Sequence, residues 1–239
     1  MPISDYGKLY ASWDTYSVRT PIDSADVSRI VSEARQHGVS IRVRGSAHTF
    51  SGATIPRDGE ILLRTNALDR FLFDRAGTIL VGSGAIAWDV RDLATQHGLI
   101  MPVYNGGWAG PTIGGYTSAG GMGLRVPPAD RERWLALPES QRPPLLSISE
   151  VHGGFWEHVA SVRLVDGTGT IHDIDEDHED FPWLFANYGQ FGIITGVRLK
   201  LLDDVHAAYP LGLAGQVPRV QADDPAVNDR LPDPRGDRI

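Results

Sequence analysis

Ten consecutive residues, Val43-Arg-Gly-Ser-Ala-His-Thr-Phe-Ser-Gly52, bring together the residue types needed to hold an anion beside a reactive ring nitrogen. Gly45, Ser46 and Ala47 are small enough to let backbone N–H groups converge on the oxygens of a pyrophosphate. The hydroxyls of Ser46 and Thr49 add donors, and Arg44 adds charge. His48 would lie beside whatever the diphosphate carries. Alone, such a loop is more often an ordinary turn after a strand, with His48 a capping or core histidine.

Two further stretches are rich in glycine. Gly110-Pro-Thr-Ile-Gly-Gly-Tyr-Thr-Ser-Ala-Gly-Gly-Met-Gly123 packs six glycines into fourteen residues and offers Thr112, Thr117 and Ser118 as donors. Such a run cannot be a regular helix; glycines this dense build successive turns or let a flat ligand press on the backbone. Asn187-Tyr-Gly-Gln-Phe-Gly-Ile-Ile-Thr195 reads as a glycine turn feeding a strand, whose unpaired amides could read the edge of a pyrimidine or purine ring.

Other patterns fail on inspection. Gly82-Ser-Gly-Ala-Ile-Ala87 imitates a dinucleotide fingerprint between a strand and a helix, but no acidic residue follows about twenty positions on to hold a ribose hydroxyl. Asp173, Asp175 and Asp177 begin like a calcium loop, yet His178 occupies the turn-glycine position and Leu184 that of the bidentate glutamate. There is no G-x-S-x-G elbow and no H-E-x-x-H pair.

The elements that must position these loops follow from periodicity. Val27, Ile30, Val31 and Ala34 fall on one face of a helix spanning 25–37, capped by Asp23 or Ser24 and stopped by Gly38. Strands are expected at 39–44, 60–65 and 78–84, then a helix from about Trp88 to His97 ended by Gly98. Strands resume at 158–165 and, after the turn Asp166-Gly167, at 170–174 and within 191–202. Leu124–Glu150, with five prolines, reads as a long surface excursion. Beyond Leu202 the chain is rich in Pro and Asp, as in a tail or linker.

The 239 residues suffice for a real apolar core, and 41% hydrophobic with 22% charged residues is ordinary for a globular chain. Cysteine is absent, which excludes disulfides, thiolate nucleophiles and Cys-ligated metals. Redox chemistry would need a borrowed cofactor. The formal charge of −8 and the lack of any Lys/Arg run speak against nucleic acid. No signal-peptide pattern opens the chain and no window approaches about 18 consecutive apolar residues, so the expectation is a soluble, cytoplasmic protein without membrane partners.

Taken together and in order, three landmarks resemble the FAD-binding domain of the vanillyl-alcohol oxidase and para-cresol methylhydroxylase (PCMH-type) flavoprotein superfamily. They are R-G-x-x-H-[ST] at Arg44–Thr49, T-[IV]-G-G-x-x-x-x-G-G-x-G at Thr112–Gly123, and G-x-F-G-I-[IV]-T at Gly189–Thr195. Pro21, the V-G-S-G-A run at Val81 and the region from Gly154 to Gly167 add support, and the resemblance covers Tyr16 to Leu202.

The resemblance implies an α+β fold of two α/β subdomains with FAD between them. Residues 1–75 would form the first, residues 76–202 the second with an insertion at 124–150, and residues 203–239 a tail. It places Arg44, Gly45, Ser46, Ala47, His48 and Thr49 around the pyrophosphate. Thr112, Gly114, Gly115, Ser118, Gly120, Gly121 and Gly123 would line the diphosphate and flavin, and the backbone at Ile193 and Ile194 would meet the adenosine or ring edge. His48 matches the position that in many members bonds covalently to the flavin 8α-methyl; attachment through a second, cysteine link is excluded here. Complete relatives carry a C-terminal substrate or cap domain, which this length leaves out. The implied function is an FAD-linked oxidation of an alcohol or activated C–H by hydride transfer to flavin N5, with dioxygen as one acceptor. The alternative is an FAD-carrying subunit or noncatalytic flavin-binding protein that needs a separate partner for the substrate site. Tyr104, Trp108, Tyr116, Arg125, Glu150, His152 and Trp156 are candidates to face a small-molecule substrate, and the base is unassigned.

Overall fold

The structure, a computed structural model, describes residues 2–73, 77–101, 110–121, 136–141 and 154–203. It begins with a two-stranded hairpin, β1 (Ile3–Ser4) and β2 (Ala11–Ser12). A three-stranded parallel sheet follows in the order β3 (Ser17–Arg19), β5 (Ile61–Arg64), β4 (Ile41–Arg44), with α1 (Ser24–His37) crossing from β3 to β4. The Asp23 carboxylate accepts from the Asp26 amide at 2.8 Å and caps α1. Gly38, at φ 66°, closes its C-terminus in the left-handed conformation that glycine adopts freely.

A five-stranded antiparallel sheet forms the larger half. Its order is β10 (Ile171–Asp175), β9 (Val159–Val165), β11 (Ile193–Lys200), β7 (Thr78–Gly82), β6 (Phe71–Phe73). β6 lies before the boundary that the resemblance implies at residue 75 yet pairs with β7, so the larger sheet begins at Phe71. α2 (Ala87–Gln96) buries Val90 and Ala94 on this sheet. The short strands β8 (Leu99–Ile100) and β12 (Leu202–Asp203) pair with each other. A six-residue helix, α3 (Ile113–Ser118), lies between them in sequence.

Two apolar cores result. One fills the large sheet and α2 with Ile79, Val81, Val90, Phe155, Val162 and Val197, all essentially inaccessible. The other sets Val27, Ile30, Val31 and Ala34 of α1 against Ile61 and Leu63 of the parallel sheet, and also against Val165 and Ile193 of the large one. α1 is thus shared by both sheets. The acidic run after β9 is tied down locally: Arg163 donates to both Asp173 carboxylate oxygens at 2.7 Å. No described helix is long and apolar enough to cross a membrane. Most of the expected excursion at 124–150, and the tail from 204 on, fall outside the described residues.

Candidate functional site

The first loop leaves β4 at its carboxyl end. Ile41 and Val43 pack toward α1, so strand alternation sends Arg42 and Arg44 to the other face. Arg44 is not left free for a phosphate. Its Nη2 donates to the Ser4 carbonyl at 2.7 Å and its Nη1 to Thr54 Oγ1 at 3.4 Å. Burial, with the Arg64 cation beside it, lowers the pKa of the guanidinium. The Ser46 hydroxyl donates to the Gly110 carbonyl at 3.1 Å, and the Thr49 hydroxyl pairs with Ser51 Oγ at 2.9 Å. Three of the expected side-chain donors therefore organise the loop itself.

The backbone is the part that stays available. Ala47 adopts φ 56°, a left-handed conformation unusual for a residue with a β-carbon. Among the described residues, the amides of Gly45, Ser46, Ala47 and His48 donate no hydrogen bond. Four successive N–H groups on a turn with a left-handed residue give a concentration of positive partial charge suited to anionic oxygens.

The second glycine stretch departs from the expectation of turns: Ile113–Ser118 is helical. Tertiary bonds take up its first amides. Ile113 N–H donates to the Ala85 carbonyl and Gly114 N–H to the Ser83 carbonyl, both at 2.8 Å, while Thr112 Oγ1 accepts from the Gly115 amide at 3.3 Å. Thr117 Oγ1 donates back to the Ile113 carbonyl at 2.8 Å. Thr112 and Thr117 are thus buried structural hydroxyls rather than ligand donors. The glycines serve close packing: a β-carbon would stand 2.6 Å from Ser83 Cβ at Gly114 and 2.5 Å from Phe155 Cβ at Gly121. Of the described glycines in this stretch, Gly115 is the exposed one, and a β-carbon there would meet only Thr112 Oγ1, at 3.1 Å. Gly123 lies outside the described residues, as do Tyr104, Trp108, Arg125, Glu150 and His152. Tyr116 is buried against Phe155 at 4.7 Å between ring centroids, and burial pushes its phenol pKa up, so it is a core residue. Trp156 folds back over Gly154.

The third segment also differs in detail. Ile193 and Ile194 are in register with Val165 and Leu164 of β9, which takes one side of their backbone into the sheet, while the pairing of β11 with β7 on the other side begins at Gly196. The turn before them docks on α3 instead: the Tyr188 amide donates to the Ser118 carbonyl at 3.0 Å, and Ala186 lies against Gly120.

These segments meet around Ser83, in the run set aside as a false dinucleotide fingerprint. The Ser83 amide donates to the Thr195 carbonyl at 3.1 Å while its carbonyl receives Gly114. Gly82 and Gly84 allow this run to lie flat on the Thr65–Leu68 backbone; a β-carbon at Gly84 would stand 1.8 Å from the Thr65 carbonyl oxygen. Loop one joins through Ser46 and through Gly45, which sits directly against Thr112.

The N-terminal hairpin, for which the sequence carried no periodic signal, closes over loop one. Tyr6 and Gly7 amides donate to the Ala47 and Thr49 carbonyls at 2.9 and 3.3 Å, and Asp5 Oδ2 accepts from the Gly52 amide at 3.0 Å. The Tyr6 ring lies 4.5 Å from the His48 imidazole, tilted by 31°. Among the described residues, the buried side-chain polar atoms without a hydrogen-bond partner are Asp5 Oδ1, His48 Nε2 and Ser83 Oγ. All three belong to this one junction. Buried polar atoms are normally paired, so His48 Nε2 and Ser83 Oγ together with four unpaired amides fit a polar, phosphate-bearing group, whereas the Asp5 oxygen can only accept and serves the hairpin.

Comparison with known proteins agrees with this geometry. Residues 17–133 match the FAD binding domain family. Berberine bridge enzyme-like 27 of Arabidopsis thaliana is 24% identical over 200 residues, which are 78% of this chain and 32% of that protein. D-lactate dehydrogenase of Archaeoglobus fulgidus is 29% identical over 112 residues, 46% of this chain and 25% of that one. The crystal structure of 6-hydroxy-D-nicotine oxidase from Arthrobacter nicotinovorans superposes with a TM-score of 0.65 at 21% identity, over 84% of this chain and 39% of that one, and shows the shared fold. The chain spans between a quarter and two fifths of the length of these relatives. The family match covers just under half of the chain, and the chain is a distant homologue of FAD-dependent oxidases and dehydrogenases.

Proposed function

We propose that this chain binds FAD and serves in the FAD-linked oxidation of an alcohol or similarly activated C–H, with dioxygen as one acceptor. The observation that carries the reading is the clustering of unpaired polar groups at one junction: the amides of Gly45 to His48 with His48 Nε2 and Ser83 Oγ. In this reading the loop amides hold the diphosphate, and the bonds from Ser46 to Gly110 and from Tyr6 and Gly7 to loop one keep those amides in place. α3 and the Ala186–Gly189 turn form the wall behind it, with the exposed Gly115 leaving room for a flat ring. FAD supplies the acceptor for the hydride leaving the substrate carbon.

His48 is the attachment residue of this reading. His48 would hold the flavin through a C–N bond formed in place of its imidazole N–H and one 8α-methyl C–H, and the bound flavin, with dioxygen as final acceptor, would take up the two electrons and two protons released. His48 suits this because neither ring nitrogen has a partner among the described residues.

In a second reading the chain carries FAD while another domain or polypeptide supplies the substrate side; the burial of Tyr116, one of the residues expected to face a substrate, against Phe155 supports it. The visible spectrum of the purified protein, before and after addition of FAD, tests the shared premise. A flavin spectrum is expected; a colourless protein after FAD addition would overturn both readings. Turnover of a secondary alcohol by the chain alone separates the first reading from the second.

A further inference from the structure

We propose that Tyr6 is a positioning residue for His48, holding the imidazole plane in the orientation in which it meets the flavin; this rests on the FAD reading above. A histidine at a reactive centre usually has its ring fixed by a hydrogen bond from the nitrogen that does not react. His48 has no such bond among the described residues, at either nitrogen. What defines its plane is a ring contact, the Tyr6 face at 4.5 Å and 31°.

Tyr6 is in turn held on both sides of the histidine. Its own amide bonds the carbonyl of Ala47, and the next amide, Gly7, bonds the carbonyl of Thr49, so two backbone bonds bracket His48 in the chain. The edge of Phe50 stands against the Tyr6 ring at 87° with centroids 5.7 Å apart, which restricts its rotation. Asp5 anchors the segment to Gly52, and Arg44 anchors β1 through Ser4. A ring contact can do what a hydrogen bond could not: it orients the imidazole while leaving both nitrogens unengaged, so that one can bond to carbon through its lone pair as the ring loses its single N–H proton. The Tyr6 hydroxyl has no part in this, and its ring is 41% accessible at the residue level, so the aromatic face is the working element.

The test compares wild type with Tyr6→Phe, Tyr6→Leu, Tyr6→Ala and His48→Ala by two measurements. The first is the chemical shift of the His48 ring protons in FAD-free protein, which reports the aromatic face above the imidazole. The second is the rate at which added FAD becomes resistant to release by acid and stays in the pellet. Tyr6→Phe is expected to keep the shift and the rate within twofold. Tyr6→Leu, which keeps apolar bulk and the hairpin, is expected to lose the shift and slow attachment about tenfold or more, as misplacement of a reacting group does. Tyr6→Ala should behave like Tyr6→Leu, with the thermal midpoint of Tyr6→Leu showing that the fold is kept. Wild-type attachment rates in Tyr6→Leu, with attached flavin in wild type and none in His48→Ala, would overturn the role of Tyr6 alone. Release of all flavin from acid-treated wild type would overturn the attachment reading and this proposal with it.

Discussion

Thr112 closes directly over Gly45: a β-carbon on Gly45 would stand 2.3 Å from the threonine Oγ1 and 2.8 Å from its Cγ2. One contact thus joins the anion loop to the N-cap of α3, two segments far apart in sequence. Gly45→Ala should cost about 2 kcal/mol, as overpacking does. Thr112→Gly should cost only a few tenths of that scale, since glycine is itself tolerated at an N-cap. In the double variant the clash is gone, so urea denaturation should give a coupling of about 1 kcal/mol or more in favour of the pair. Simple additivity would show that the two segments do not touch.

Gly84 and Gly167 contrast in surroundings. A side chain at Gly84 meets the Thr65 carbonyl, whereas a β-carbon at Gly167 meets nothing within 4 Å. Gly84→Ala is expected to lower stability by about 3 kcal/mol or more, enough to leave little folded protein, and Gly167→Ala to remain within about 0.5 kcal/mol of wild type. Thermal melts of the two variants side by side check this.

Ser46→Ala removes the single hydroxyl bond that ties the anion loop to Gly110. The loss of about 1 kcal/mol of loop order should raise the Kd for FAD about fivefold. Flavin-fluorescence titration of FAD-free protein in a His48→Ala background measures this without interference from attachment. An unchanged Kd would place the diphosphate elsewhere.

Glu60 sits at the start of β5 and takes three bonds: Arg42 Nη2 at 2.9 Å, Arg42 Nε at 3.2 Å and the Arg57 amide at 2.8 Å. The Arg42 hydrogen bonds hold its carboxyl below the usual carboxylate range despite partial burial. A depressed folded-state pKa contributes stability that is full above the unfolded value of about 4.3 and is lost as pH falls through the lower folded value. Glu60→Gln should therefore cost about 2 kcal/mol at neutral pH, with the gap to wild type narrowing below about pH 4. A gap that is constant with pH would mean that the charge on Glu60 contributes nothing.

How far these features can be read in advance depends on the range of the forces behind them. α1 is local in every respect: Asp23, the spacing of Val27, Ile30, Val31 and Ala34, and Gly38 each act within a few residues. α3 is the opposite case. Two glycines in six residues disfavour helix by about 1 kcal/mol each, and the helix exists because Ala85 and Ser83 take its first amides and because Ser83 and Phe155 need the space that glycine leaves. The hairpin of β1 and β2 has two residues in each strand, too few for any period, and is placed by bonds to Ala47, Thr49 and Gly52. The order of the three glycine-bearing segments marks the family, but order carries no information about which donors the fold consumes. Arg44, Thr112 and Thr117 are each engaged by partners that no spacing rule connects to them.

The sharing of α1 between both sheets has a consequence for how the chain is made. Its apolar stripe is complete once Ala34 has emerged from the ribosome, but two of the residues that cover it, Val165 and Ile193, follow much later. At about 5–20 residues per second the helix waits roughly 10–30 s with part of that stripe bare. The N-terminal half is therefore committed to a vulnerable interval on every round of synthesis, and chaperone demand should fall on nascent chains that stop between α1 and β11.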